Sequence, residues 1–138
     1  MPAVDSFFDT NVLLYLLSDD AAKADSAEAL LAAGGVISVQ VLNEFASVAV
    51  GRKAVSFADL REILSTIRRI CTVTAIDVET HELGLEIAER YRFSIYDSLI
   101  VAAAMRAGCS TLYSEDLQHG QTIDQITIRN PFVRGEHD

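Results

Sequence analysis

Four acidic residues occupy positions where a carboxylate is costly to place. Asp9 follows the paired aromatics Phe7-Phe8 and opens Asp9-Thr10-Asn11, a carboxylate, a hydroxyl and an amide in succession. Glu44 falls between Val41 and Val48 at helical spacing, on the edge of an apolar stripe. Asp97, in Tyr96-Asp97-Ser98, heads the apolar run Leu99 to Ala104. Asp116 closes Ser114-Glu115-Asp116, directly after a short apolar stretch. A carboxylate beside a core costs several kcal/mol unless its charge is compensated, and no Lys lies within five residues of any of the four. Tertiary ion pairs are one compensation. A bound hard cation, Mg²⁺ or Mn²⁺, is the other, since it takes oxygen ligands and keeps waters for a phosphate. Such a site suits phosphodiester hydrolysis: the ion contacts a phosphate oxygen and lowers the pKa of an attacking water. Without metal, some of the crowded carboxylates should titrate above their ordinary range.

Each acid taken alone also has an ordinary structural explanation. Asp9 can cap the helix that starts before Val12, and Asp97 can favour a helix N-terminus through the dipole. A helical Glu such as Glu44 is usually solvated, and Asp116 suits a turn. The chemistry therefore depends on whether the chain brings the four together.

The elements that must do so alternate between short apolar strands and helices. Ala3 to Phe8 reads as a strand ending at Asp9, followed by a helical run through Val12, Leu13, Tyr15, Leu16 and Leu17. Ser18-Asp19-Asp20 caps a helix over Ala21 to Ala33, which Gly34-Gly35 stops. Val36 to Ser38 reads as a strand, Val39 to Val50 as a helix with an apolar face, and Phe57 to Ile70 as a helix capped by Ser56. Thr72 to Ile76 is β-branched and alternating, a strand. Glu79 to Arg92 reads as a helix that turns His81, Leu85 and Ala88 to one side, with His81 partly buried. Tyr96 to Ala107 reads as an apolar helix, Thr111 to Ser114 as a strand, and Ile123 to Ile128 as a last strand before a tail containing Pro131. This alternation predicts an α/β fold with a short parallel sheet wrapped by helices, whose ligands sit beyond the carboxyl ends of the strands. Asp9 and Asp116 both fall at such ends.

In motif order and spacing, over nearly the whole chain, the sequence resembles the PIN-domain ribonucleases, and among them the VapC-type toxins of type II toxin–antitoxin pairs. The resemblance rests on Phe8-Asp9-Thr10-Asn11, Asn43-Glu44, Tyr96-Asp97-Ser98 and Ser114-Glu115-Asp116. It implies a three-layer α/β fold with a helical hairpin insertion, formed by residues 1–138 as one domain. It also implies Mg²⁺-dependent RNA cleavage that inhibits translation and growth. Asp9, Glu44, Asp97 and Asp116 would be the catalytic and metal-binding acids, with Thr10, Asn11 and Ser114 orienting carboxylates or the scissile phosphate. The family pattern favours Asp116 as the fourth acid, with adjacent Glu115 as the alternative. A cognate VapB-like antitoxin and a homodimer complete the expectation.

Composition bears on partners. Lys and Arg number 11 against 20 Asp and Glu, a net charge of -9, so bulk charge provides no attraction to nucleic acid and any RNA contact must be local. Arg52-Lys53, Arg68-Arg69 and Arg90 with Arg92 each close a helix, where a cation favours the dipole. Arg52 and Lys53 are the candidates for a basic rim along an RNA backbone. No signal sequence, membrane span, zinc spacing or phosphate-binding glycine loop is visible, so a cytoplasmic protein is expected, with Cys71 and Cys109 as buried thiols. A receiver-like phosphoacceptor would need a Lys after a late strand, and the only lysines are Lys23 and Lys53. A catalytically silent interaction module is the remaining rival.

Overall fold

The computed structural model describes residues 5–133. Its strands are β1 (Ser6–Phe8), β2 (Gly35–Ser38), β3 (Cys71–Thr74), β4 (Thr111–Tyr113), β5 (Thr122–Ile123) and β6 (Ile126–Arg129). Its helices are α1 (Thr10–Leu14), α2 (Ala21–Ala32), α3 (Val39–Gly51), α4 (Phe57–Ile70), α5 (Val78–Tyr91) and α6 (Ile95–Arg106). The strands form one sheet in the order β3-β2-β1-β4-β6-β5. All neighbouring pairs are parallel except β5 with β6. Helices surround this mostly parallel sheet, so its central strands are buried on both faces and read as apolar runs. Phe7, Phe8, Ile37 and Leu112 are all buried.

The order of strands decides where a site can form. From β1 the chain moves to β2 and β3 on one side, whereas β4 lies on the other. The gap between the carboxyl ends of β1 and β4 is thus a topological switch point, the place where ligands bind in open α/β sheets. Register closes this gap tightly: Phe8 pairs with Tyr113, and their rings stack at 5.9 Å. Asp9 and Ser114, the next residues of each strand, are thereby set side by side.

Two glycines allow the close approaches that hold these elements in place. A Cβ on Gly35 would run into the Phe8 ring and stand 2.9 Å from the Ser6 carbonyl oxygen. One on Gly84 would stand 2.7 Å from Leu99 Cδ2, so Gly84 lets α5 lie close against α6.

Several expectations need correcting. The last strand is two: β5 and β6 form an antiparallel hairpin turned by Asp124 at φ 52°, a left-handed conformation that Asp tolerates without glycine as a signal. The run after Asn11 ends as an α-helix at Leu14 and tightens into a 3₁₀ turn over Tyr15–Leu17. Strand β3 starts at Cys71 and stops before Ile76. The buried face of α5 carries Thr80, Gly84 and Ile87, while His81 and Leu85 are exposed, because α5 packs through its small residues. Ala3 and Val4 of the expected first strand lie outside the described residues. Among the described residues no helix is long and apolar enough to cross a membrane. Cys71 and Cys109 are buried, and burial pushes each thiol up to about 11.

Candidate active site

At the switch point the structure gathers Asp9, Asp97 and Asp116, each offering a carboxylate oxygen within 4.8 Å of the others. They arrive from three elements. Asp9 is the N-cap of α1, and its extended backbone is pinned by its amide donating to the Tyr113 carbonyl at 2.9 Å. Asp97 lies in the first turn of α6, its amide donating to the Ser94 hydroxyl at 3.1 Å. Asp116 follows β4, its amide donating to Ser114 Oγ at 3.1 Å.

Asp9 is the most constrained of the three. Its Oδ1 accepts from the Thr10 amide at 2.7 Å. Its Oδ2 accepts from Ser114 Oγ at 2.7 Å and from Asn11 Nδ2 at 3.2 Å. Asn11 in turn accepts from the Glu115 amide at 3.0 Å through Oδ1. Thr10, Asn11 and Ser114, the expected orienting residues, are therefore all in contact with the acids.

Burial of Asp9 disfavours its charge and raises its pKa from 3.8 to about 6, with Asp116 and Asp97 adding repulsion against the opposing pull of the Ser114 and Thr10 hydrogen bonds. Asp97 is also raised, first by burial and then by the charges of Asp116 and Glu44. The ion pairs among the described residues, Lys23 with Glu115 and Arg106 with Asp77, include none of these acids. Three converging carboxylates, Asp9 buried, Asp97 half-buried and Asp116 exposed, with no ion-pair partner among the described residues and only oxygen donors to offer, fit a hard divalent cation.

Glu44 occupies a different position in the site. It lines the same cavity of about 310 Å³ as Asp9, Asp97 and Asp116, but stands outside the trio of mutually close oxygens. Its Oε1 accepts from Thr10 Oγ1 at 2.5 Å and its Oε2 from Gln40 Nε2 at 3.1 Å. Gln40 also donates from Nε2 to the Tyr96 carbonyl at 3.1 Å, tying Glu44 to the start of the helix that carries Asp97. Sequence reasoning passed over Gln40, although its spacing of four residues from Glu44 placed both on one helix face.

Glu115 turns away from the acidic trio. Both its oxygens meet the Tyr15 hydroxyl, at 2.8 and 2.9 Å, and Lys23 Nζ stands 3.8 Å from Oε2. Burial, followed by the Glu115 bond, holds the Tyr15 hydroxyl above its ordinary pKa and keeps it a donor. Tyr15 and Lys23 were the other residues missed, for want of any local pattern linking them to Glu115. Arg52 and Lys53, at the end of α3, line a second cavity with Tyr15 and Glu115. Arg68 and Arg69 lie in the last turn of α4, and Arg90 in that of α5.

Comparison with known proteins agrees with this geometry. Residues 6–122 match the family described as PIN domain. Among curated proteins no sequence match was found. A toxin–antitoxin complex from Klebsiella pneumoniae superposes with a TM-score of 0.69 at 20% identity, covering 92% of this chain and 98% of that one. VapC20 of Mycobacterium tuberculosis, described as a sarcin–ricin loop cleaving toxin, gives 0.65 at 20% identity over 80% of this chain and 89% of its own. VapBC2 from Rickettsia felis, bound to a promoter DNA fragment, gives 0.64 at 16% identity over 91% and 97%.

Proposed function

The chain belongs to the PIN domain family, and from that premise we propose that it is a divalent-metal-dependent ribonuclease, the toxin half of a toxin–antitoxin pair that restrains translation and growth. The observation that carries this reading is the convergence of Asp9, Asp97 and Asp116 at the β1/β4 switch point, with no ion-pair partner among the described residues. RNA rather than another phosphodiester is favoured by the likeness to a toxin described as cleaving the sarcin–ricin loop.

In this reading Asp9 and Asp97 would hold Mg²⁺ or Mn²⁺ directly, and Asp116 would complete the set. The ion supplies positive charge and Lewis acidity for phosphodiester hydrolysis. The chain does the rest. Thr10 and Ser114 fix the two Asp9 oxygens through hydrogen bonds donated from N–H and O–H, so that the carboxylate keeps one orientation. Asn11 braces Asp9 and the Glu115 backbone together, holding the loop after β4 against the end of β1. Asp116, the most exposed of the trio, orients the attacking water and accepts its proton on a carboxylate oxygen. Glu44, steadied by Thr10 and Gln40, aligns that water from the opposite helix.

A cognate antitoxin and a second copy of the chain are part of the same reading. An apolar hollow of about 290 Å³ between α2 and α4, lined by Leu16, Leu31, Ile63, Ile67 and Ile70, suits a partner's apolar side chains. Light scattering that returns a strict monomer removes the second copy.

The deciding assay incubates purified protein with RNA and Mg²⁺. Asp9→Asn and Asp97→Asn each abolish cleavage while the circular dichroism spectrum stays that of the folded chain. Full activity in either variant, or in excess EDTA, overturns the metal-nuclease reading.

A further inference from the structure

Asp116 reaches the acidic centre from the irregular loop between β4 and β5, and its own side chain is exposed. Its aim is therefore set by how the peptide units around it are held. On one side Ser114 is buried, its amide donating to the Arg129 carbonyl at 3.0 Å. On the other side Leu117 is buried in the core. Between these anchors Glu115 is the residue that must be fixed, and its side chain has no task in the hydrolytic reading.

Glu115 is gripped at two points by one face of the first helical run. Asn11 and Tyr15 are four positions apart, a spacing that places them together on a helix surface. Asn11 Oδ1 accepts from the Glu115 amide at 3.0 Å, and the Tyr15 hydroxyl meets both carboxylate oxygens at 2.8 and 2.9 Å. One bond at the backbone and one at the tip of the side chain fix the rotation of this residue as well as its place. The next residue is Asp116, whose amide donates to Ser114 Oγ at 3.1 Å. Tyr15 is itself held from two further elements. Lys23 Nζ, on α2, donates to its oxygen at 3.3 Å; an ammonium only donates, so the tyrosine proton is left for Glu115. The same Nζ stands 4.9 Å from the Tyr15 ring centroid, and Phe132, beyond β6, sets its ring 4.5 Å from that of Tyr15.

We propose that Tyr15 is a positioning residue for Asp116. Its hydroxyl, braced by Lys23 and Phe132, clasps Glu115 so that the neighbouring Asp116 faces Asp9 and Asp97 before a cation arrives. The proposal rests on the metal reading of the acidic trio. The gain is preorganisation, since groups ordered in advance carry no ordering cost at binding. Without the clasp the loop must be ordered as the cation binds, and affinity falls although every ligand is intact. Loss of an outer partner of a metal site ordinarily costs about 10–100-fold in metal affinity.

The test titrates Mn²⁺ into the full chain without RNA, following the free ion by electron paramagnetic resonance. It compares wild type, Tyr15→Phe, Asp116→Asn and the double variant. Tyr15→Phe deletes one oxygen and keeps the ring that packs against Phe132. It should weaken Mn²⁺ binding about tenfold, with a thermal melt showing that the variant is folded. In the Asp116→Asn background the same substitution should change affinity by less than about twofold, because the carboxylate that the clasp aims is gone. A Tyr15→Phe variant with wild-type affinity overturns the proposal. So does an equal loss in both backgrounds, which marks a general loosening rather than placement of Asp116. A wild type that binds no Mn²⁺ overturns the metal reading and this proposal together. A wild type that binds Mn²⁺ and leaves RNA intact overturns the nuclease reading alone, and the four affinities still decide the role of Tyr15.

Discussion

Asp9 pays for its position with stability, and the size of that cost can be worked from its surroundings. The carboxylate is 4% exposed, and burial is the main reason its pKa rises from 3.8 to about 6. A rise of that size corresponds to about 3 kcal/mol at 1.36 kcal/mol for each pH unit. The sign follows from linkage. An acid whose pKa is raised on folding favours the folded state most below its unfolded value, and this stability is lost as pH climbs through the folded value. The loss therefore develops between pH 4 and 6. Asp9→Asn removes the titration. At pH 4 the variant should be less stable than wild type by about 1 kcal/mol, because an amide cannot accept from all the donors that Asp9 faces. At pH 7.5, with the wild-type carboxylate ionised, it should be more stable by about 2 kcal/mol. The stability difference thus changes by about 3 kcal/mol over the window, whatever the exact hydrogen-bond loss. Urea denaturation of both proteins in EDTA across pH 4 to 7.5 measures it. A difference that stays constant with pH, or a variant less stable at pH 7.5, refutes the argument that Asp9 is held ionised against an uncompensated burial cost.

Two further variants probe the scaffold of the site and its basic rim. Gly35→Ala would push a methyl group into the Phe8 ring and to 2.9 Å from the Ser6 carbonyl oxygen, so it should cost at least about 1 kcal/mol in urea denaturation; an unchanged midpoint would show that β1 is not held by this contact. Reversing Arg52 and Lys53 to Glu should weaken RNA binding and flatten its dependence on log salt by about 1.4, at about 0.7 for each single-strand phosphate no longer neutralised, whereas an unchanged slope assigns both residues to the helix end alone.

The sequence could be read well wherever a residue's neighbours in space are also its neighbours in the chain. Helix caps at Asp20 and Ser56 follow from local hydrogen bonding, and the parallel sheet follows from apolar strands alternating with helices. The acids stood out because each borders an apolar run, and the family pattern in Ser114-Glu115-Asp116 is what preferred Asp116 to Glu115 before any contact was visible. What remained hidden depends on long-range placement. Tyr15 and Glu115 are separated by 100 positions, and no local pattern indicates that a hydroxyl will meet that carboxylate. Gln40 was legible in principle, yet its second bond, to the Tyr96 carbonyl 56 positions away, is what makes it a brace between helices. The hairpin at Asp124 escaped because a left-handed Asp needs no glycine beside it, and the α5 face was misread because small residues rather than large ones mark the close approach.

The bond from Ser114 Oγ to Asp9 Oδ2 spans 105 positions, and this has a consequence for the order in which the molecule is made. Synthesis proceeds from the N-terminus, so Asp9 and Glu44 leave the ribosome long before the strand that completes their setting. Until β4 pairs with β1, Asp9 lacks its serine donor and its two acidic companions from later in the chain. Contacts of such high sequence separation carry the entropy cost of closing a long loop. The two sides of the acidic centre are delivered by synthesis at different times. A polypeptide interrupted before Ser114 lacks Asp116 and the serine that orients Asp9, which ties hydrolytic competence to a finished chain.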